Sequence, residues 1–66
     1  MKHKELDKYL GEKVVIHFKK SILPFGGRLY LYRPGFLGIG RVYVIQDFAC
    51  YAFFSAREVK YVVVKE

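Results

Sequence analysis

The chain holds a single cysteine, Cys50, so no disulfide can form within it. Its two histidines, His3 and His17, combine with that cysteine in no zinc-ligand spacing. Serine is limited to Ser21 and Ser55, and threonine is absent. No nucleophile–base pair can be assembled from so few hydroxyls. The six acids, Glu5, Asp7, Glu12, Asp47, Glu58 and Glu66, contain no convincing general acid/base pair. The sequence therefore predicts neither an enzyme nor a cofactor nor a small-molecule substrate. Long apolar runs are also missing. The longest, Phe48 to Phe54, is too short to span a bilayer, and the charged opening Met1–Glu5 leads into no apolar signal segment. These absences predict a cytoplasmic protein without a membrane partner, whose Cys50 stays reduced as a small buried hydrophobe.

What is present is apolar, aromatic and basic. Of 66 residues, 53% are apolar and twelve are Phe or Tyr, six of each. A chain this short forms one domain, residues 1–66, and buries only about 60% of its unfolded surface. With no disulfide and no metal spacing, oligomerisation is the remaining support for so small a core. The formal charge of +6, from twelve Lys and Arg against six acids, favours a polyanionic partner such as nucleic acid.

Along the chain, residues 3–10 predict a short helix, with Leu6, Tyr9 and Leu10 on one face and Gly11 at the left-handed cap position. Five strands follow within residues 13–65. Val14 to Lys19 alternates, with Val14, Ile16 and Phe18 inward and His17 on the wet face. Gly26-Gly27 marks a bend or bulge. Arg28 to Arg33 has Leu29 and Leu31 inward, with Arg28, Tyr30 and Tyr32 outward. The glycine-rich segment Gly35-Phe36-Leu37-Gly38-Ile39-Gly40 lacks the Gly-Lys-Ser/Thr ending of a phosphate loop, and is read as a turn. Arg41 to Gln46 is a third strand, with Val42 and Val44 inward and Arg41 and Tyr43 outward. Asp47 starts a turn, Tyr51 to Ser55 is a fourth strand, and Val59 to Lys65 is the fifth. A short helix and five short, frequently interrupted strands predict a mainly β fold, a strongly bent antiparallel SH3-like barrel.

Two features carry functional weight. Val59 to Val64 is apolar on both faces, which a small chain cannot cover by itself; another copy of the chain is the expected cover. Arginine and tyrosine also interleave at outward positions, at Arg28, Tyr30, Tyr32, Arg33, Arg41 and Tyr43. Aromatic faces stack bases and arginines neutralise phosphates, so the set suits single-stranded nucleic acid. The same residues would also serve as packing against loops or a neighbouring subunit.

The pattern resembles the Sm-like family of Sm, Lsm and Hfq proteins. The helix followed by Leu10-Gly11-Glu12-Lys13-Val14-Val15-Ile16 is similar to the family's entry into its first strand. Phe25-x-Gly27-x-Leu29 matches the core of the first family motif, and Phe54-Ser55-Ala56-Arg57-Glu58-Val59-Lys60-Tyr61-Val62 resembles the second. The chain departs from the family where uridine is bound. Arg33 stands near the usual Asp, Phe36 or Leu37 near the usual Asn, and Ser55-Ala56 replaces Arg-Gly, with Arg57 displaced by two.

The resemblance implies a homo-oligomeric ring of roughly five to eight subunits, the fourth strand of one subunit pairing with the fifth of the next. Interface residues on this reading are Tyr51, Phe53, Val59, Tyr61, Val62, Val63 and Val64. RNA would be held at the pore-lining turns by Tyr32, Arg33, Phe36, Ser55 and Arg57. The other readings are a protein-interaction scaffold barrel without RNA binding and a monomeric SH3-like module that binds DNA or the ribosome.

Overall fold

The computed structural model describes residues 1–65. Helix α1 spans His3–Leu6 and continues as a 3-10 turn over Asp7–Tyr9. The strands are β1 (Lys13–Phe18), β2 (Phe25–Arg33), β3 (Val42–Gln46), β4 (Tyr51–Phe54) and β5 (Val59–Val64), with a second 3-10 turn at Ala56–Glu58. The fold is mainly β, as the sequence predicts. The five strands form one antiparallel sheet in the order β4-β3-β2-β1-β5. The expected barrel is not closed: β4 and β5 end the order and do not pair with each other.

The bend arises in β2. Its first residues, Phe25 to Arg28, pair with β1, while Arg28 to Arg33 pair with β3. The strand thus belongs to both halves of the sheet. Gly26-Gly27, expected as an interruption, lies within it. A Cβ on Gly27 would stand 2.6 Å from the Gln46 carbonyl oxygen. The missing side chain lets the β3 backbone fold in close. Strand alternation puts Phe25, Gly27 and Leu29 on one face, where Leu29 is fully buried and Phe25 packs against the core.

The core consists of Leu6, Val14, Ile16, Leu29, Tyr43, Ile45, Phe54, Ala56 and Val59. Leu6 is fully buried, and Tyr9 and Leu10 lean on the same cluster, so the helix is held by its predicted apolar face. Gly11 adopts φ 84°, as a left-handed cap requires.

Two expectations are corrected. In β3, Tyr43 and Ile45 point inward, rather than Val42 and Val44. Every residue from Val42 to Ile45 is apolar or aromatic, so alternation could not choose a face. The larger side chains fill the core, and the Tyr43 hydroxyl finds partners there. Cys50 is exposed, not buried. It sits in the β3–β4 turn, where the Asp47 carboxylate accepts the N–H groups of Ala49 and Cys50 at 2.8 and 2.7 Å. Those bonds, Ala49's first, hold the Asp47 carboxyl below its ordinary pKa. Among the described residues, no helix is long and apolar enough to cross a membrane.

Gly27→Ala is expected to lower stability by about 1–3 kcal/mol, because the new methyl meets backbone that cannot swing aside. Thermal denaturation followed by circular dichroism measures this. An unchanged Tm would show that the bend does not depend on the missing Cβ.

Candidate functional site

Arg41 does not stand free on the outer surface, as its place in the arginine–tyrosine set suggests. Its Nη2 donates to Asp7 Oδ2 at 2.9 Å, its Nε to the Tyr43 hydroxyl at 2.9 Å, and its Nη1 to the Pro34 carbonyl at 3.0 Å. The Tyr43 hydroxyl in turn donates to Asp7 Oδ1. One arginine therefore ties together the N-terminal helical segment, β3 and the loop after β2. Burial, and next the bond to Asp7, push the Tyr43 phenol up from 10.0 to about 12. This cluster organises the fold, and removes Arg41 and Tyr43 from the set of groups able to meet a ligand.

The remaining aromatics lie differently. The rows Arg28–Gln46–Tyr51 and Tyr30–Val44–Phe53 cross three neighbouring strands, β2, β3 and β4, on the face opposite the core. A β-bulge between Leu31 and Arg33 breaks the ladder at Tyr32. Bulges re-aim side chains, and here the Tyr32 ring meets Phe53 edge-on at 4.7 Å. Phe53 meets Tyr51 at 5.4 Å. The Arg33 guanidinium stands 6.0 Å from the Tyr32 ring centre. Tyr32, Phe53 and Tyr51 are 58%, 51% and 64% exposed.

Of the residues assigned to RNA from sequence, Tyr32 and Arg33 are thus brought together. Phe36 stands on a separate hairpin finger, paired with Ile39 through two backbone hydrogen bonds. Leu37 and Gly38 form its tip with φ 53° and 82°, and the His3 ring lies against Gly38. Ser55 is engaged locally: its backbone N–H donates to Glu58 Oε2 at 2.7 Å, starting the Ala56–Glu58 turn. Arg57 is exposed and lines an open cleft of about 750 Å³ with Lys19, Lys20 and Phe53.

Of the residues assigned to a subunit interface, Val59 is fully buried in its own chain's core, and its side chain offers no surface to a partner. Val62 is half-buried against that core. Tyr61, Val63 and Val64 are exposed, and Tyr61 stacks on His17 with centroids 4.2 Å apart. Tyr51 and Phe53, also assigned to the interface, are the two outer rings of β4. Sequence reasoning did not join them to Tyr32, because that contact depends on the strand order and the bulge.

The phenol of Tyr43 ionises near 10.0 in the unfolded chain and near 12 in the folded one. The stability this group contributes is therefore fully present below pH 10.0 and is lost as pH rises through about 12. Tyr43→Phe should be less stable than the wild type at neutral pH, with the difference shrinking across that window. Urea denaturation at a series of pH values reads it, and parallel stability profiles for the two proteins would refute the assignment.

In comparison with known proteins, the chain matches no family model, and no curated protein or solved structure shows significant similarity to it.

Proposed function

We propose that this chain is the subunit of an Sm-like homo-oligomeric ring that binds single-stranded RNA. The observation that carries this reading is the strand order, which leaves β4 and β5 as the two unpaired edges of a small sheet. Unpaired edges invite further strand pairing unless they are covered. The β5 edge also bears exposed apolar side chains, Tyr61, Val63 and Val64. Joining one edge to the other in the next copy would be a heterologous contact, which closes into a ring when the rotation permits.

RNA as the ligand is supported by charge and ring chemistry. Among the described residues one acid, Asp7, is ion-paired, with Arg41. With twelve Lys and Arg against six acids, cations remain in excess, among them the exposed Arg33 at the bulge and Arg57 at the cleft. A scaffold barrel without RNA binding is the second reading. It is favoured by the engagement of Arg41 and Ser55, two residues the nucleic-acid reading drew on, in the chain's own structure.

Light scattering on a sizing column should give a mass of roughly five to eight subunits. A clean monomer at micromolar concentration would remove the ring. RNA affinity should fall steeply with salt, and Arg57→Ala should lower affinity and reduce the salt slope by about one. An unchanged slope would take Arg57 out of the site. Failure to bind any oligonucleotide at low salt, with the oligomer intact, would select the scaffold.

A further inference from the structure

The outer face of β2, β3 and β4 presents an uncovered ladder of rings, Tyr32–Phe53–Tyr51, each more than half exposed. Packing economy does not account for it. The core lies on the opposite face, and side chains on a solvated sheet face are ordinarily polar. We infer that this ladder is a base-stacking platform on which consecutive nucleotides of a single-stranded RNA lie, distinct from the turn residues Phe36, Ser55 and Arg57. The inference rests on the RNA-binding reading above and moves the principal contact from the turns to the sheet face.

Two observations point to this occupant. The rings are joined edge-to-face, 62° and 76° between planes, and each is more than half exposed, which leaves ring surface for a partner. Nucleobases of any identity stack on such faces. A cation stands beside the rings where a phosphate backbone would run. The Arg33 guanidinium lies 6.0 Å from the Tyr32 ring centre. An apolar protein partner would make no use of this cation or of the chain's formal charge of +6, whereas a polyanion with stackable bases uses both rings and charge. Edge pairing of β4 engages its backbone, which leaves the face of the strand open in an assembled ring.

The test compares the wild type with Tyr32→Leu/Phe53→Leu, which keeps apolar bulk but removes the rings, and with Arg57→Ala. Binding of fluorescently labelled oligo-A and oligo-U RNA is measured by anisotropy over a salt series, and molar mass by light scattering. The ring variant should lose about tenfold or more in affinity with its mass and salt slope unchanged, since stacking is a non-ionic contribution. Arg57→Ala should instead change the slope. As a check that needs no folded variant, ultraviolet cross-linking of the wild type to oligo-U should place adducts on Tyr32, Tyr51 or Phe53. Wild-type affinity in the ring variant, with adducts only at Phe36 or near Arg57, overturns the platform while RNA binding stands. A changed molar mass in the ring variant assigns the ladder to a subunit contact and overturns it too. No binding by the wild type removes the RNA reading itself, and the platform with it.

Discussion

The Asp7–Arg41–Tyr43 cluster is the interaction on which the arrangement of this small chain depends. A helix of four residues has no independent stability in water. It persists here because Leu6 is buried in the core and because Asp7, next in sequence, is bound by both a guanidinium and a phenol. Arg41 also holds the Pro34 carbonyl at the base of the finger. The cluster lets a large tyrosine serve as core: its ring stacks 5.9 Å from Phe54 while its hydroxyl is satisfied at the margin. No buried polar side-chain atom is left without a partner among the described residues. Losing Asp7 would take from both the guanidinium and the phenol their shared carboxylate acceptor, and with it the tie between the helical segment and β3.

The second constraint is scarcity of interior. Among the described residues nine make up the core, while thirteen large apolar side chains remain exposed. Some of these, Phe36, Leu37 and Ile39 on the finger and Ile22 and Leu23 between β1 and β2, lie on loops. The rest lie largely on the outer face and edges of the sheet. A monomer with this surface carries large apolar patches in water. Edge pairing between copies and base stacking on the face cover different parts of it, so the two proposals are compatible in one molecule. The basic balance acts on both: it opposes close approach of identical subunits and attracts a polyanion, so a bound polyanion would relieve the repulsion.

Much of the fold was legible in the sequence because local patterns carry it. The apolar face of the helix, the alternation of β1, the inward Leu29 and the turn at Asp47 are all readable from spacing and turn chemistry. The orientation of β3 was not legible, because Val42-Tyr43-Val44-Ile45 offers no polar residue to mark the wet side. Cys50 was misplaced for a related reason: Phe48 to Phe54 reads as a continuous apolar run, yet its first part is an exposed turn held by the Asp47 carboxylate. In the candidate site, the residue types were visible but their grouping was not. Arg41 and Tyr43 looked like members of an outward set and are engaged inside, while Tyr51 and Phe53 looked like interface residues and form one surface with Tyr32.

By itself, then, the sequence determined composition-level properties: a small, basic, aromatic-rich chain without cross-links, whose periodicity specifies a short helix and five strands. These follow from side-chain chemistry and from spacings of two to four residues, which act locally. Only the tertiary structure decided which strands are neighbours, that the sheet stays open between β4 and β5, and where the bulge at Tyr32 turns its ring. Those outcomes depend on contacts between residues far apart in the chain, such as Asp7 with Arg41 and Tyr32 with Phe53, whose pairing no local pattern encodes.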